Sequence, residues 1–277
     1  MESLYQLYQT HVGKVSDKWE SYLRCYEALW ADRRDKPVSL LEIGVQNGGS
    51  LEIWSRYFPN AVSLIGCDIN PHCAGLRYAD PRINIVIGDA NNDATWGRIS
   101  AIQPSFDIII DDGSHRSSDV IKAFGRYFPR LKDGGVFVVE DLYHSYWRQF
   151  EGGLFDPFSS ISFFKRLIDV VNFEHWGVAA ERTSILEAFA AKYGAEFDGE
   201  TLARIHSVEF MNSMSVIRKS PPAENSLGPR FIAGIEEAVA KGHLPLFGSA
   251  AWVPPQDAGA ASSDPLAIDK GPLSNKR

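Results

Sequence analysis

The chain has 277 residues, of which 44% are apolar and 12% aromatic, enough to bury the core of one large α/β domain with an appendage. Its formal net charge of −7 argues against a nucleic-acid-binding surface. No apolar run approaches the roughly 18 residues of a membrane span, and the N-terminus lacks the pattern of a signal peptide. Three cysteines without metal-binding spacing suit a reducing compartment, so we expect a cytoplasmic protein that does not bind membranes.

An amphipathic helix is predicted within the first 36 residues, where Trp19, Tyr22, Tyr26 and Trp30 recur at helical spacing. For each of these aromatic residues, packing against the rest of the protein is the simplest interpretation. We therefore expect residues 1–36 to form a helical segment that covers the main domain.

The main domain, residues 37–220, alternates strand and helix patterns, which is typical of a parallel sheet with right-handed crossovers. Five apolar runs predict parallel strands, and two later runs predict an antiparallel hairpin. The expected fold is a Rossmann-like, doubly wound α/β domain with a mostly parallel seven-stranded sheet and a C-terminal antiparallel hairpin. The predicted strands cover residues 38–43, 62–68, 83–87, 107–111, 135–139, 205–210 and 213–219.

Two stretches depart from this alternation. Residues 148–183 carry aromatic residues and glycines and are predicted to form a lid over a substrate. Core packing of a helix over residues 160–171 is the alternative. Residues 221–277 are rich in proline, alanine, glycine and serine, which predicts a partly extended or mobile C-terminal extension with one short helix at 231–241.

A glycine-rich turn between the first strand and a helix is the first candidate binding site. Glu42, Gly44, Gly48 and Ser50 belong to it, in a spacing that differs from the dinucleotide fingerprint G-x-G-x-x-G. Glycines in such a turn let a ligand approach the backbone, and the helix N-terminus offers free N–H groups. Asp68 ends the second strand, where a carboxylate can bind both hydroxyls of a ribose.

The next two strand ends extend this candidate site. Gly88 and Asp89 follow the third strand, where a carboxylate can reach an adenine amino group. Asp111 ends the fourth strand, and we assign it to the strand end or to the cofactor rather than to a metal. These residues predict a nucleoside-containing ligand at the carboxyl edge of the sheet, where open α/β sheets bind ligands.

Carboxylates follow two strands that are apolar throughout, and this is the most informative feature of the sequence. Asp112 and, three residues later, His115 follow the fourth strand, and Glu140 and Asp141 follow the fifth. Because folding seldom brings like charges together without a neutralising cation, the cluster predicts a divalent metal ion. A simple turn followed by a helix N-cap is the competing interpretation of each cluster taken alone.

These motifs resemble those of the class I S-adenosylmethionine-dependent methyltransferases, in which a Leu-Lys-x-Gly-Gly turn like residues 131–135 often precedes a strand. More narrowly, residues 111–115 and 140–147 are similar to the macrocin and mycinamicin sugar O-methyltransferases and the cephalosporin-hydroxylase-like proteins. This resemblance implies S-adenosylmethionine and Mg²⁺ as cofactors, with the metal held by Asp112, Glu140 and Asp141.

The same resemblance implies further roles. It makes His115 the general base, and it makes residues 14–19 together with Tyr22 a segment that covers the cofactor, so that Tyr22 is a candidate cofactor contact. The chain departs from the family after the acidic pair: Tyr143 precedes His144, where family members often have a histidine in the position of Tyr143. The family therefore assigns no role to His144.

The expected reaction is methyl transfer from S-adenosylmethionine to a hydroxyl that a metal orients and His115 deprotonates. The expected acceptor is a sugar, on a glycosylated natural product or a polysaccharide. A catechol-type or other small-molecule O-methyltransferase and a non-catalytic accessory protein that binds the cofactor are the alternatives. The glycine spacing disfavours a nicotinamide enzyme. A homo-oligomer would be compatible with the aromatic N-terminal segment and the extended tail.

Overall fold

Seven strands pair into one sheet at the centre of the computed structural model, which describes residues 2–256. They are β1 Ser39–Ile43, β2 Ser63–Asp68, β3 Ile83–Ile87, β4 Phe106–Asp111, β5 Leu131–Val139, β6 Ile205–Met211 and β7 Met214–Lys219. The strand order is β3-β2-β1-β4-β5-β7-β6. The first five strands run parallel, whereas β7 is antiparallel to both β5 and β6. The expected sheet and its closing hairpin are confirmed.

Helices cover both faces of this sheet. The described helices are α1 Leu4–Gln9, α2 Glu20–Trp30, α3 Gly49–Tyr57, α4 Asp93–Ile102, α5 Ser117–Tyr127, α6 Ser160–Val171, α7 Glu187–Tyr193 and α8 Gly199–Leu202. The apolar side chains of α1 to α3 form one core with one face of the sheet. Those of α4 to α8 form a second core with the other face.

Strand β4 shows why an uninterrupted apolar run marks a central strand. Ile109 belongs to the core beneath α4 to α8, whereas Ile108 and Ile110 belong to the core beneath α1 to α3. All three side chains are completely buried. Because successive side chains of a strand point to opposite faces, a strand covered on both faces needs apolar residues at every position.

The N-terminal segment contains α2, which carries Tyr22, Tyr26 and Trp30 of the predicted amphipathic helix, and the shorter helix α1 before it. In α2, Trp30 stacks on Tyr26 with ring centroids 4.3 Å apart, and it meets Trp54 of α3 edge-on at 5.2 Å. Packing therefore accounts for the stacked rings of Tyr26 and Trp30, whereas Trp19 remains 59% exposed. Between α1 and α2, residues 11–19 cross the glycine-rich turn, and we call them the cover segment.

The predicted lid region divides into two parts. Helix α6 buries Phe163 and Phe164 in the core, so that the packing interpretation holds for residues 160–171. Leu154 and Phe155, which precede the helix, are 69% and 75% exposed. This earlier part therefore leaves two large apolar side chains free to meet a ligand.

The helix predicted at residues 231–241 is wrong, because the structure has no helix there. Phe231, Ile235 and Val239 would have formed its apolar face, and they are 84%, 94% and 95% exposed. Without a surface to pack against, a helix of this length does not recover the cost of its nucleation. The predicted extended or mobile tail lies, from residue 257 onward, outside the described residues.

A helix needs about 20 predominantly apolar residues to cross a bilayer. The longest described helix, α6, has 12 residues. Within residues 2–256, none of the helices combines the length and the apolarity that such a crossing requires.

We expect Ile109→Ala to lower the free energy of unfolding by about 2–5 kcal/mol, because it leaves a cavity at a completely buried position of β4. Val62→Ala is the control: this side chain is 59% exposed, and its loss should change stability by less than about 0.5 kcal/mol. Urea unfolding followed by circular dichroism measures both values. Equal losses in the two variants would contradict the central position of β4.

Candidate active site

The strand order places a crevice at the carboxyl ends of β1 and β4. These strands are neighbours, but the chain continues from β1 to β2 on one side and from β4 to β5 on the other. Connections that leave in opposite directions open a crevice between them, which is where open α/β sheets bind ligands. The glycine-rich turn after β1 and the turn that carries Asp112 and His115 border this crevice.

A hollow of about 300 Å³, here called the central hollow, occupies the crevice. Gly44, Ser50 and Asp68 line it together with Asp112 and His115. Gly44 has a φ of 92°, and a Cβ atom at this position would collide with the backbone oxygen of Asp112. The two turns can approach each other this closely only because residue 44 is glycine.

Asp68 lies between the central hollow and a second hollow beside it. Its Oδ2 accepts hydrogen bonds from the backbone N–H groups of Val45 and Gln46, at 2.8 and 2.9 Å. Its Oδ1 accepts another from the N–H of Asn70 at 2.8 Å. The carboxylate is therefore held rigidly at the end of β2 with lone pairs still available to a ligand.

The second hollow, here called the side hollow, has a volume of about 230 Å³ and is lined by Gly88, Asp89 and Asp111. Asp111 is 4% exposed, and its Oδ2 has no hydrogen-bond partner among the described residues. Burial raises the pKa of Asp111 to about 7. A buried carboxyl group with an unpaired oxygen can bind a polar group of a ligand in this hollow.

Glu42 and Gly48 support the glycine-rich turn. Glu42 is 1% exposed and accepts a hydrogen bond from the hydroxyl of Ser50 at 2.6 Å. Gly48, with a φ of 83°, is the N-cap of α3. Ser50 reaches the central hollow itself, whereas Glu42 lies behind it.

Lys18 of the cover segment lies among three carboxylates, with only 2% of its side chain exposed. Its Nζ is 2.9 Å from the carboxylate of Glu140 and 3.7 Å from that of Glu42, and it donates a hydrogen bond to Asp112. Burial lowers the pKa of Lys18, but Glu140, Asp112 and Glu42 together raise it well above its ordinary value. This lysine is therefore a fixed positive charge at the site.

Sequence analysis did not single out Lys18. The available signal was a second lysine in the polar run Lys-Val-Ser-Asp-Lys at residues 14–18, ahead of a helix and far from the acids in the sequence. Only the tertiary structure shows that this segment turns back over the strand ends. Gly49 donates a backbone hydrogen bond to Val15 at 3.1 Å, and the backbone N–H of Lys14 donates to Glu52 at 2.8 Å.

The carboxylates carry more negative charge than Lys18 alone can neutralise. Glu140 is 2% exposed and also accepts a hydrogen bond from the hydroxyl of Tyr26. Burial, opposed by Lys18 and reinforced by Asp112, raises the pKa of Glu140 to about 8. Burial raises the pKa of Glu42 as well. Burial therefore favours the protonated forms of Glu140 and Glu42, and a further cation nearby would favour their ionised forms.

Asp141 points to different partners. The hydroxyl of Tyr22 donates to its Oδ1 at 2.8 Å, and Nε2 of His115 lies 3.9 Å from its Oδ2. The imidazole of His144 stacks on that of His115, with centroids 4.6 Å apart and planes at 2°. Tyr22, predicted to contact the cofactor, is thus placed against a predicted metal ligand.

His115 is suited to accept a proton. Burial lowers its pKa, and the nearby charges of Asp112 and Asp141 act in the opposite direction. The net effect keeps the imidazole neutral at a lower pH than usual, so that a ring nitrogen retains its lone pair. His115 lines the central hollow, where a reacting group would be held.

A third hollow, here called the acceptor hollow, has a volume of about 140 Å³ and lies on the other side of the acids. Asp112 and Asp141 line both this hollow and the central one. Trp19 and Tyr143 form an aromatic wall on the acceptor side, with ring centroids 6.4 Å apart. The two hollows therefore meet at the carboxylates.

The carboxylates fit a divalent cation. Asp112, Glu140 and Asp141 offer hard oxygen donors of the kind that Mg²⁺ prefers. Burial raises the pKa of Glu140, and a cation bound among the carboxylates would favour its ionised form. The donor set is thus chemically suited to the metal that the sequence predicted.

Comparison with known proteins supports the family resemblance. Residues 41–142 match a family model described as a methyltransferase domain. The 8-demethyl-8-alpha-L-rhamnosyl tetracenomycin-C 2'-O-methyltransferase of Streptomyces olivaceus is 41% identical over 164 residues, which cover 56% of this chain and 42% of that protein. The mycinamicin VI 2''-O-methyltransferase of Micromonospora griseorubida is 36% identical over 159 residues, which cover 53% of this chain and 38% of that protein.

A solved structure described as the MycE methyltransferase from the mycinamycin biosynthetic pathway, in complex with Mg, SAH and mycinamycin VI, has the same fold. Its TM-score is 0.64 at 25% identity, and the match covers 85% of this chain and 57% of that one. The chain spans less than half the length of the two curated relatives described above. Residues 41–142 therefore match a methyltransferase domain, and the two similar curated proteins are O-methyltransferases.

We expect Lys18→Met to lower the free energy of unfolding by about 3–5 kcal/mol, because it leaves buried carboxylates without their cation. Lys36→Met is the matched control, since Lys36 is 64% exposed in a surface ion pair and should contribute less than about 1 kcal/mol. Both are measured by urea unfolding at neutral pH. Unchanged stability of Lys18→Met would contradict the role of Lys18 as the buried cation of the site.

Proposed function

We propose that this chain, which carries a methyltransferase domain, transfers a methyl group from S-adenosylmethionine to a sugar hydroxyl of a glycosylated small molecule. Asp112, Glu140 and Asp141 would hold Mg²⁺, and His115 would act as the general base. One observation carries this proposal: the central hollow and the acceptor hollow meet over Asp112 and Asp141, beside an imidazole of lowered pKa.

The methyl donor fits the two hollows on the β1–β4 side of the crevice. Asp89 and Asp111 are available to an adenine ring in the side hollow, and Asp68 is available to the ribose hydroxyls between the hollows. The methionine part would then occupy the central hollow beneath the cover segment, beside Gly44 and Ser50. This arrangement directs the sulfonium methyl group towards the carboxylates.

The acceptor fits the other side. Its hydroxyl would enter the acceptor hollow, which Asp112, Glu140 and Asp141 line. The exposed rings of Trp19 and Trp147, which are 59% and 46% exposed, extend the aromatic wall of Tyr143 outward. Such a wall suits the apolar face of a sugar or of the group that it decorates.

The reaction is an in-line displacement. The acceptor oxygen forms a bond to the methyl carbon, the carbon–sulfur bond breaks, and the electron pair stays on sulfur as the sulfonium becomes a thioether. His115 takes the hydroxyl proton as the oxygen attacks. Bound Mg²⁺ would lower the pKa of the hydroxyl and orient it. Lys18 and Tyr22 keep the carboxylates in position through the contacts described above.

The curated relatives favour a sugar over a catechol. The proteins similar to this chain include a rhamnosyl tetracenomycin 2'-O-methyltransferase and a mycinamicin VI 2''-O-methyltransferase, and their names place the reaction on a sugar carried by a larger molecule. The exposed aromatic wall agrees with an acceptor that extends beyond the acceptor hollow.

The first test measures cofactor binding and metal binding independently. In calorimetric titrations of chelator-treated protein, we expect S-adenosylmethionine to bind the wild type and Asp112→Asn, whereas Mg²⁺ binds the wild type and binds Asp112→Asn at least about tenfold more weakly. Asp93→Asn is the control, because the Asp93 side chain is 94% exposed at the start of α4 and pairs with Arg126 rather than with a residue of the site. Absence of cofactor binding to the wild type would overturn the proposal.

The second test concerns the base. We expect the rate of methyl transfer to fall at acidic pH as His115 gains a proton. The midpoint of this fall should lie below the ordinary histidine pKa of about 6.5, because burial lowers the pKa of His115. His115→Ala should lose methyl transfer while its calorimetric affinity for S-adenosylmethionine is unchanged. A wild-type rate in this variant would remove His115 from the mechanism.

A further inference from the structure

We propose that His115, Asp141 and His144 form a nitrogen-rich metal site that binds a borderline divalent ion such as Zn²⁺, Co²⁺ or Ni²⁺ and thereby blocks methyl transfer. The binding part depends only on the geometry of these three residues. The inhibitory part rests on the proposed function, because it takes His115 to be the base.

The three side chains already converge. One potential ligand atom of each lies within 4.8 Å of the corresponding atoms of the other two. In a tetrahedral site with metal–ligand distances of about 2.0–2.1 Å, ligand atoms lie roughly 3.4 Å apart. Because the two imidazoles are stacked with their planes at 2° and a ring nitrogen binds a metal in the plane of its ring, closing the site requires the ring of His115 to rotate out of the stack, with ligand-atom movements of about 1 Å. In the described part of the chain, this is the cluster of histidine, cysteine and acidic residues that meets the distance for a shared metal.

His144 is oriented for this role. Its Nδ1 lies 2.9 Å from the backbone oxygen of Asp141. A carbonyl oxygen can only accept a hydrogen bond, so Nδ1 carries the hydrogen and Nε2 of the neutral ring keeps its lone pair. A hydrogen bond from the second ring nitrogen to a backbone carbonyl is the usual support of a metal-binding histidine.

The surroundings also hold the ring of His144 in place. The side chain is 8% exposed and lies against Phe150 and Trp147, with ring centroids 4.1 and 5.0 Å away. His115 stacks on one face of this ring. The packed ring of His144 cannot swing out to solvent, so the less packed ring of His115, whose side chain is 18% exposed, is the one that can rotate towards a shared ion.

The backbone brings the other two ligands to the same point. His115 and Asp141 have φ values of 58° and 55°, in the left-handed region that non-glycine residues rarely adopt. Such strain persists where the surrounding structure requires it, and it is concentrated at functional sites. Here it turns both side chains, from two different strand ends, towards each other.

Two imidazoles and one carboxylate select a different class of ion from the neighbouring acids. Imidazole nitrogen favours Zn²⁺, Co²⁺, Ni²⁺ and Cu²⁺, whereas Mg²⁺ prefers oxygen ligands. Three protein ligands leave at least one coordination position for water, and His115 and Asp141 line the central hollow on that side. Asp141 belongs to both donor sets, so the two kinds of ion compete for it. An ion bound to His115 also occupies the lone pair that would accept the proton.

The test uses Co²⁺ as the probe, added to the full chain after chelator treatment. We expect saturable binding with the visible absorption of Co²⁺ in a nitrogen-containing site, retained in excess Mg²⁺. His144→Asn should weaken Co²⁺ binding at least tenfold and shift the spectrum. His175→Asn is the matched control, because this histidine is 40% exposed beside Glu174 and should leave the spectrum unchanged.

Wild-type Co²⁺ affinity and an unchanged spectrum in His144→Asn would overturn the site. If circular dichroism shows that His144→Asn does not fold, His115→Asn gives the same test, because the side chain of His115 is 18% exposed and far less packed. The inhibitory part is tested in the methyl-transfer assay with Mg²⁺. Inhibition by Co²⁺ at its spectroscopic binding concentration supports it, and full activity with the site saturated overturns it.

The two proposals fail in different ways. Cobalt binding that depends on His144, in a protein that neither binds S-adenosylmethionine nor transfers methyl groups, would support the metal site and reject the methyltransferase. Methyl transfer that depends on His115, in a protein with no Co²⁺ spectrum, would do the reverse.

Discussion

The buried ammonium group of Lys18 is the contact on which the rest of the site depends. It joins the cover segment to Glu42, Asp112 and Glu140, which come from the ends of three neighbouring strands. Several carboxylates can lie this close in a buried place only when a cation compensates part of their charge. The same contact fixes the cover segment over the central hollow. One buried lysine therefore both compensates part of the charge of the acids and holds the cover of the hollow in place.

The contacts of Lys18 also explain why the carboxylates border two hollows. Lys18 contacts Asp112 and Glu140, while Asp141 turns away to Tyr22 and the two histidines. The central hollow and the acceptor hollow then share Asp112 and Asp141 as their common wall. A donor and an acceptor placed on opposite sides of this wall would meet at its oxygen atoms, which is the geometry that an in-line transfer needs.

The strands, the glycine-rich turn and the acidic strand ends could be predicted because each depends on a short stretch of sequence. Ile108 to Ile110 mark a buried strand, and Asp112 follows it whatever the rest of the chain does. Lys18 could not be found in this way, because its partners are set by how the cover segment returns across the sheet. The wrong helix at 231–241 has the same cause: periodicity shows an apolar face but not whether any surface is there to bury it.

The order of Tyr143 and His144 after the acidic pair determines which part of the site each ring faces. Residues 142–146 form a 3₁₀ helix, in which successive side chains are about 120° apart. A histidine at the position of Tyr143 would therefore face the acceptor hollow, which Tyr143 lines here. One position later, His144 turns inward and stacks on His115. This order gives the acceptor hollow an aromatic surface and places a second imidazole against His115, the proposed base.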